Sequence, residues 1–256
     1  MMTPSTTPRL LALPWWALLA ARRAVAEFRA PFLELHVGGR APLPPAEAIR
    51  AVADAPDVRG IWLRVERLGG AQASLIAAVE ALAAVRAAGR LVVAEFDAVG
   101  NAELLLASGC DRAYARPGAQ TWCVGLGTTL RFFGDFLSRH GIDFDVEAVG
   151  EFKAFGETFA RGFASSPNRE AMRCLLDDLQ AEWVSAIALH RRIPEARVLE
   201  AVGASPMSAE ALVERGLLDG VAYDDEVRAH VEALVTVGQL KLLKDDAANL
   251  TGDDVR

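Results

Sequence analysis

Strand-type and helix-type segments alternate along residues 58–117, and this order constrains the fold more than any other feature of the sequence. Apolar side chains occupy alternate positions in residues 58–65, which is the period of a β-strand. After Gly69 and Gly70, residues 71–89 repeat apolar side chains at helical spacing and end on a glycine, a common helix terminator. A strand (91–96), a helix (98–108) and another strand (111–117) are predicted next. This order predicts an α/β domain with mostly parallel strands and flanking helices.

The sequence beyond residue 125 is expected to continue the alternation. Residues 128–141 place apolar side chains on one helical face, and residues 142–150 alternate like a strand at Phe144, Val146 and Ala148. A long helix is predicted to begin at Ser166 and Pro167, where serine can cap and proline fits the first position. Its buried stripe would contain Met172, Leu175, Leu179, Trp183 and Ile187. A last helix is expected over residues 224–235.

Domain boundaries follow from the ends of these patterns. We expect one domain over residues 32–235, preceded by an apolar N-terminal segment (1–31). Residues 236–256 are predicted to be a frayed tail or a severed linker, because residues 245–256 carry four Asp and few apolar side chains.

The N-terminal segment has three interpretations. Residues 10–21 are apolar, but this run is well short of the ~20 residues that span a bilayer, and Pro14 interrupts it. The basic residues follow the apolar run, which fits a secretory signal poorly. Residues 10–29 could instead lie in a membrane interface, with Trp15 and Trp16 among the headgroups, or pack on protein. The expected location is therefore membrane-associated or cytoplasmic.

Charge and motif content exclude several functions. The formal net charge of -7 gives no basic face for nucleic acid, so no nucleic-acid partner is expected. The three cysteines show no metal-ligand spacing and are predicted to be small buried hydrophobes. The four histidines fall in no metalloprotease or hydrolase motif, and residues 124–129 lack the lysine of a phosphate loop. We therefore predict no metal and no cofactor.

Lys153 stands out because almost all basic residues of the chain are arginines. The chain has 24 Arg and only three Lys, and Lys153 is the only lysine before residue 241. Arginine keeps its proton at physiological pH, whereas a desolvated lysine can lose it and act as a base. Phe152, Phe155 and Phe159 are candidates for desolvating walls, although a lone loop lysine is more often a solvated charge.

The segment around this lysine resembles a known family. Residues 150–172, GEFKAFGETFARGFASSPNREAM, resemble the pattern G-x-aromatic-K-[SA]-x-x-E-P-F followed by S-P-x-x-R-E of the signal peptide peptidase A (protease IV) family. Thr158 stands where the family prefers proline. Further similar segments extend the resemblance over roughly residues 32–235. The resemblance implies a crotonase-like (ClpP-like) fold and a serine peptidase with a Ser-Lys dyad, which cleaves peptides in or near membranes within a ring-shaped oligomer.

The family implies roles for particular residues. Lys153 matches the general base, which takes the proton of a serine hydroxyl before the serine attacks the peptide carbonyl. Gly69 and Gly70 match the turn whose backbone N–H groups stabilise the oxyanion, although any strand-to-helix connection can use glycine in this way.

The nucleophile position departs from the family. The serine-bearing motif S-x-A-A-S-G-G-Y-Y aligns with AVGNAELLLAS, and the position of the serine is Ala102. Without a hydroxyl there, this domain has no dyad of its own. In two-domain members the N-terminal domain supplies only the lysine, and this sequence resembles that domain.

Three functions remain open. In the first, the chain is the lysine-bearing half of such a peptidase. It is then either cut short or completed by a separate serine-bearing chain, in a homo- or hetero-oligomer that acts on peptides. Alternatively, it is a catalytically inactive family member that serves as a scaffold or binding module. A weaker third interpretation keeps the fold but assigns acyl-coenzyme A chemistry.

Overall fold

The computed structural model describes residues 32–39, 42–55 and 58–233, which divide into two compact units. The first unit contains the described residues up to Val124 together with those from Ala186 onward, and the second is Gly125–Ser185. The predicted segments 1–31 and 236–256 lie outside the described residues, so these boundaries remain predictions.

The first unit is built on a five-stranded sheet whose neighbouring strands are all parallel. The strands follow one another in sequence order, so each lies beside the strand before it. Their bounds are β1 Phe32–Val37, β2 Gly60–Val65, β3 Leu91–Gly100, β4 Arg112–Trp122 and β5 Gly220–Val221. The predicted α/β class and parallel pairing are confirmed.

Three helices connect the first four strands: α1 Ala46–Arg50, α2 Gln72–Ala87 and α3 Asn101–Ser108. The α2 helix packs against both α1 and α3, as expected when right-handed crossovers between adjacent parallel strands place successive helices side by side. Alternate strand residues such as Ile61, Leu63 and Phe96 are fully buried, as are Leu82 and Leu105 of these helices. This apolar core fixes the carboxyl ends of β2 and β3, which Gly69, Gly70 and Ala102 follow in the chain.

The C-terminal part of the first unit contains α7 Glu195–Gly203, α8 Ala209–Glu214 and a helix over residues 224–233, called α9 here. Val227 and Val231 of α9 pack with Trp62 and Val93 of the sheet in one buried cluster. The Oδ2 atom of Asp219 accepts hydrogen bonds from the Ala113 backbone N–H at 2.8 Å and from Arg191 Nη1 at 2.9 Å, which ties the start of β5 to β4.

The second unit contains α4 Gly134–Arg139, α5 Glu157–Ala160 and most of α6 Ser166–Arg191. The helix predicted over 128–141 is thus much shorter than its apolar pattern suggested. The strand predicted over 142–150 is wrong, because these residues form no strand and Phe144 and Val146 are exposed. Apolar alternation yields a strand only when another strand supplies the backbone partners.

Two further burial predictions are corrected in part. Cys110 and Cys123 are buried as expected, but Cys174 is exposed on α6. Trp183 and Ile187 of the predicted α6 stripe are buried, whereas Leu175 is 50% exposed. The described part of α6 therefore buries its carboxyl-terminal half more completely than its beginning.

No helix among the described residues combines the length and the apolar character needed to cross a membrane. The segment predicted to contact a membrane, residues 10–29, falls outside those residues.

Candidate active site

The predicted oxyanion turn follows β2, at the carboxyl edge of the sheet where α/β folds commonly bind ligands. Gly69 and Gly70 are both exposed, and Gly70 has a φ of +131°, a conformation that favours glycine. A Cβ atom at either position would meet nothing within 4 Å. The backbone conformation therefore favours glycine at position 70, whereas close packing requires glycine at neither position.

The position that the family resemblance assigns to the serine lies in the first turn of α3, which directly follows β3. Ala102 is the second residue of this helix, and Gly100 precedes it as the N-cap. Ala102 lines a pocket of about 530 Å³ together with Leu68, Glu103, Gln120 and Trp122. The structure thus retains a pocket in the first unit where the family resemblance places the nucleophile, with a methyl group at the position of the hydroxyl.

Glu103 joins the oxyanion turn to this helix start. Glu103 is 4% exposed, and its Oε1 accepts a hydrogen bond of 2.5 Å from the backbone N–H of Leu68. Its Oε2 accepts a second bond of 2.9 Å from the N–H of Gly100, the N-cap residue, which is the half of a capping box that the acidic residue supplies. One buried carboxylate therefore holds the residue before Gly69 against the residues around Ala102.

Lys153 lies in the second unit, on a loop of residues 150–156 that we call the lysine loop. Its backbone N–H donates to the Gly150 carbonyl at 3.2 Å, and its side chain is exposed. Within the described residues, the lysine ammonium group has no hydrogen bond and no ion pair. The structure therefore places Lys153 on the surface of its unit.

The aromatic residues predicted to desolvate Lys153 are themselves exposed. Phe152 is 54% exposed, Phe155 is 86% exposed and Phe159 is 39% exposed. They surround the lysine along the chain but do not enclose it in the described residues.

Glu157, an acidic residue of the family motif, accepts hydrogen bonds from Ser165 and Asn168. Burial acts to raise the pKa of its carboxyl group, but hydrogen bonds from Ser165 and Asn168 outweigh this and lower the pKa below its ordinary value. No ion pair with Lys153 is present among the described residues. Glu157 therefore does not hold the lysine in its ammonium form through a direct contact.

Thr158, the departure from the family pattern, fits its position without disturbance. It is the second residue of α5, and its own backbone N–H has no hydrogen bond among the described residues. The carbonyl oxygen of Thr158 accepts a hydrogen bond from the Phe133 N–H at 2.8 Å. Proline, which has no N–H donor, and threonine are therefore both compatible with this position.

Sequence reasoning missed the role of Glu103. The signal was present, because an acidic residue three positions after a helix N-cap is typical of a capping box. The hydrogen bond to Leu68 was not readable, since it joins residues 35 positions apart. In the described part of the chain, no group of His, Cys, Asp and Glu side chains is arranged to hold a metal ion.

Comparison with known proteins agrees with the resemblance. The chloroplastic serine protease SPPA of Arabidopsis thaliana is 25% identical over 179 residues, which cover 70% of this chain and 26% of that protein. The chain thus spans about a quarter of the length of this curated relative. The solved structure of ThnE from S. clavuligerus aligns over 80% of this chain and 78% of its own, at 11% identity and a TM-score of 0.33, which is too low to support an argument.

The family model described as peptidase family S49 matches residues 84–238, more than half of the chain. This match covers β3, α3 with Ala102 and Glu103, and the whole second unit with Lys153. The family has the crotonase-like (ClpP-like) fold expected from the sequence, and its members are serine peptidases by type. The chain belongs to peptidase family S49.

Proposed function

We propose that this chain contributes Lys153 as the general base of a Ser-Lys dyad whose serine is carried by another domain or chain. One observation carries this proposal: the motif keeps its lysine, Lys153, and its acidic residue, Glu157, whereas Ala102 offers no hydroxyl at the serine position. A base without a nucleophile in its own domain is useful for peptide hydrolysis only when a second domain supplies the nucleophile.

The proposed reaction assigns a defined proton path to the lysine. The neutral amine of Lys153 takes the serine proton as the serine oxygen attacks the peptide carbonyl. The resulting ammonium group then gives that proton to the leaving amine, which breaks the peptide bond and leaves an acyl-serine. A water molecule, deprotonated by the same amine, releases the acyl group as a carboxylic acid and restores the serine.

Gly69 and Gly70 suit an oxyanion hole for a carbonyl bound in the first unit. Their N–H groups have no hydrogen-bond partner among the described residues, and the turn is exposed. However, the nucleophile position of the same domain is Ala102, so a carbonyl held at this turn would meet no serine of this chain. We therefore propose that the corresponding turn of the serine-bearing partner holds the oxyanion of the reacting peptide.

The surface of the second unit supports a partner at this place. Its exposed apolar side chains include Phe152, Phe155 and Phe163, and Val149 is 93% exposed. Large exposed apolar patches mark interaction sites. We propose that the serine-bearing subunit covers these side chains, removes water from around Lys153 and so favours its neutral form. The active species would then be an oligomer, with peptides as substrates.

Reconstitution tests this proposal. The full chain is mixed with a family member that carries the S-x-A-A-S-G-G segment and lacks its own lysine, and hydrolysis of an apolar fluorogenic peptide is measured. Hydrolysis by the mixture alone, with neither component active, is expected. Acylation footprinting provides a second readout, because the chain has only three lysines and Lys153 should become protected in the complex.

The alternative function is an inactive scaffold or binding module. The observation in its favour is the packing around Ala102, where the Glu103 carboxylate already occupies the Leu68 N–H. A scaffold would bind the serine-bearing partner and protect Lys153 from acylation, yet Lys153→Arg would leave the activity of the assembly unchanged.

A further inference from the structure

We infer that Glu157 is the positioning residue for Lys153, and that it acts as a hydrogen-bond acceptor that fixes the lysine loop to the start of α6. This inference rests on the proposed function, since the position of Lys153 matters for chemistry only if Lys153 is the base. Every contact that supports it lies within the second unit.

Glu157 reaches from the end of the lysine loop to the beginning of the long helix. Its Oε2 atom accepts a hydrogen bond of 3.0 Å from the Ser165 backbone N–H and one of 2.9 Å from Asn168 Nδ2. Ser165 in turn caps α6, because its Oγ accepts the Asn168 backbone N–H at 3.2 Å. A residue four positions after Lys153 is therefore attached to the first turn of a 26-residue helix.

The lysine loop has no comparable anchor of its own. Its hydrogen bonds are local backbone contacts, such as Ala154 N–H to the Phe152 carbonyl at 3.0 Å. Within the described residues, no side chain of residues 150–156 has a hydrogen bond or an ion pair. Glu157 is thus the nearest residue after the loop whose side chain connects it to a longer element.

Neighbouring backbone contacts make this anchor effective. A Cβ atom on Gly156 would lie 2.2 Å from Val146 Cγ1, so the chain just before Glu157 is in close contact with residue 146. Just after it, the Arg161 carbonyl accepts the Gly134 N–H at 3.0 Å. Gly156 and Arg161 keep these contacts when the Glu157 side chain is removed. The loss of its hydrogen bonds should therefore mainly free the connection between the lysine loop and α6.

The geometry indicates that the acceptor, rather than the charge, is what positions the loop. Both hydrogen bonds end on the same oxygen, Oε2. The carbonyl oxygen of a glutamine has two lone pairs and can accept both. Glu157→Gln is therefore expected to keep the loop in place, whereas Glu157→Ala removes both bonds.

The test combines a structural readout of the chain alone with the kinetics of the reconstituted assembly. Variants Glu157→Ala and Glu157→Gln are compared with Glu151→Ala, which removes an exposed acid of the same loop that has no partner among the described residues. We expect faster amide hydrogen exchange over residues 150–170 in Glu157→Ala only. In the assembly, we expect its kcat to fall by about 10²-fold with KM nearly unchanged, the size of effect that misplacement of a reacting group causes.

The outcomes separate this inference from the proposed function. Unchanged exchange and kcat in Glu157→Ala would overturn the inference, as would a Glu157→Gln variant as impaired as Glu157→Ala. If Glu157→Ala does not fold, Asn168→Ala removes one of the two bonds and should raise exchange in the same segment to a smaller extent; no rise would overturn the inference. Full activity of Lys153→Arg would instead refute the proposed function, whatever Glu157 does. Exchange in the chain alone decides the positioning claim even without an active assembly.

Discussion

Glu103 and Leu68 connect the start of α3 to the loop after β2 through a 2.5 Å hydrogen bond from the Leu68 N–H to Glu103 Oε1. The other carboxylate oxygen, Oε2, accepts the Gly100 N–H at 2.9 Å. A carboxylate beside the position of a missing nucleophile thus has a structural role. This relationship explains how the loop before Gly69 and the start of α3 around Ala102 are held together.

The first prediction concerns the stability that Glu103 provides. Glu103→Ala leaves two backbone donors near α3 without their acceptor, and a buried unsatisfied donor costs about 1–3 kcal/mol. Glu103→Gln should cost less than Glu103→Ala, because one of its two acceptor positions remains. Urea unfolding measures both changes. Glu80→Ala, at an exposed surface ion pair, is the matched control and should change stability by less than about 0.5 kcal/mol.

An equal, small effect of Glu103→Ala and Glu80→Ala would show that the Leu68 contact does not stabilise the fold. That result would also remove the structural argument for how the first unit keeps the turn of Gly69 and Gly70 in place.

The second prediction concerns thiol reactivity. Burial raises the pKa of Cys110 and Cys123 to about 12, so at neutral pH neither forms appreciable thiolate, which is the reactive species. Cys174 is exposed on α6. A thiol reagent should therefore label one site in the native chain and three after unfolding, and Cys174→Ser should abolish the native reaction. Rapid native labelling of the serine variant would contradict the described burial.

The third prediction concerns pH and follows from the lowered pKa of Glu157. A carboxyl group whose pKa is lower in the folded state than in the unfolded state contributes stability above its ordinary value of 4.5 and loses it as the pH falls through the folded value. Glu157→Ala should thus be less stable than the parent chain at neutral pH, and the difference should shrink in acid below 4.5.

Urea unfolding of both chains across this pH range measures that difference. Glu151→Ala serves as the control, with no such pH dependence expected. A difference that grows as the solution becomes more acidic would mean that the carboxylate is not stabilised by Ser165 and Asn168.

The sequence predicted the sheet better than the second unit. From β2 to β4, apolar alternation and helical spacing predict the observed strands and helices, whose core residues include Ile61 and Leu82. Runs of buried residues in the strands, as in residues 60–63 and 92–96, make the apolar pattern strong there. The alternation at Phe144 and Val146 is just as regular, yet those side chains are exposed and pair with no strand.

The candidate residues could be named from the sequence, but their contacts could not. Lys153 and Ala102 could be identified from residue types and motif positions alone. The partners of Glu103 and Glu157 could not, because Leu68 and Asn168 reach them through turns whose geometry depends on tertiary structure. In particular, no motif position shows that the Glu157 carboxylate accepts hydrogen bonds from Ser165 and Asn168 at the start of α6.

Lys153 is proposed to supply the base to a serine outside its own domain. Peptide hydrolysis by the reconstituted assembly with Lys153→Arg tests this role, and the matched replacement Lys241→Arg is the control. Arginine keeps the positive charge but cannot release its proton, so kcat should fall by at least about 10²-fold in the first variant and remain unchanged in the second. An assembly that stays fully active with Lys153→Arg would show that Lys153 is not the base.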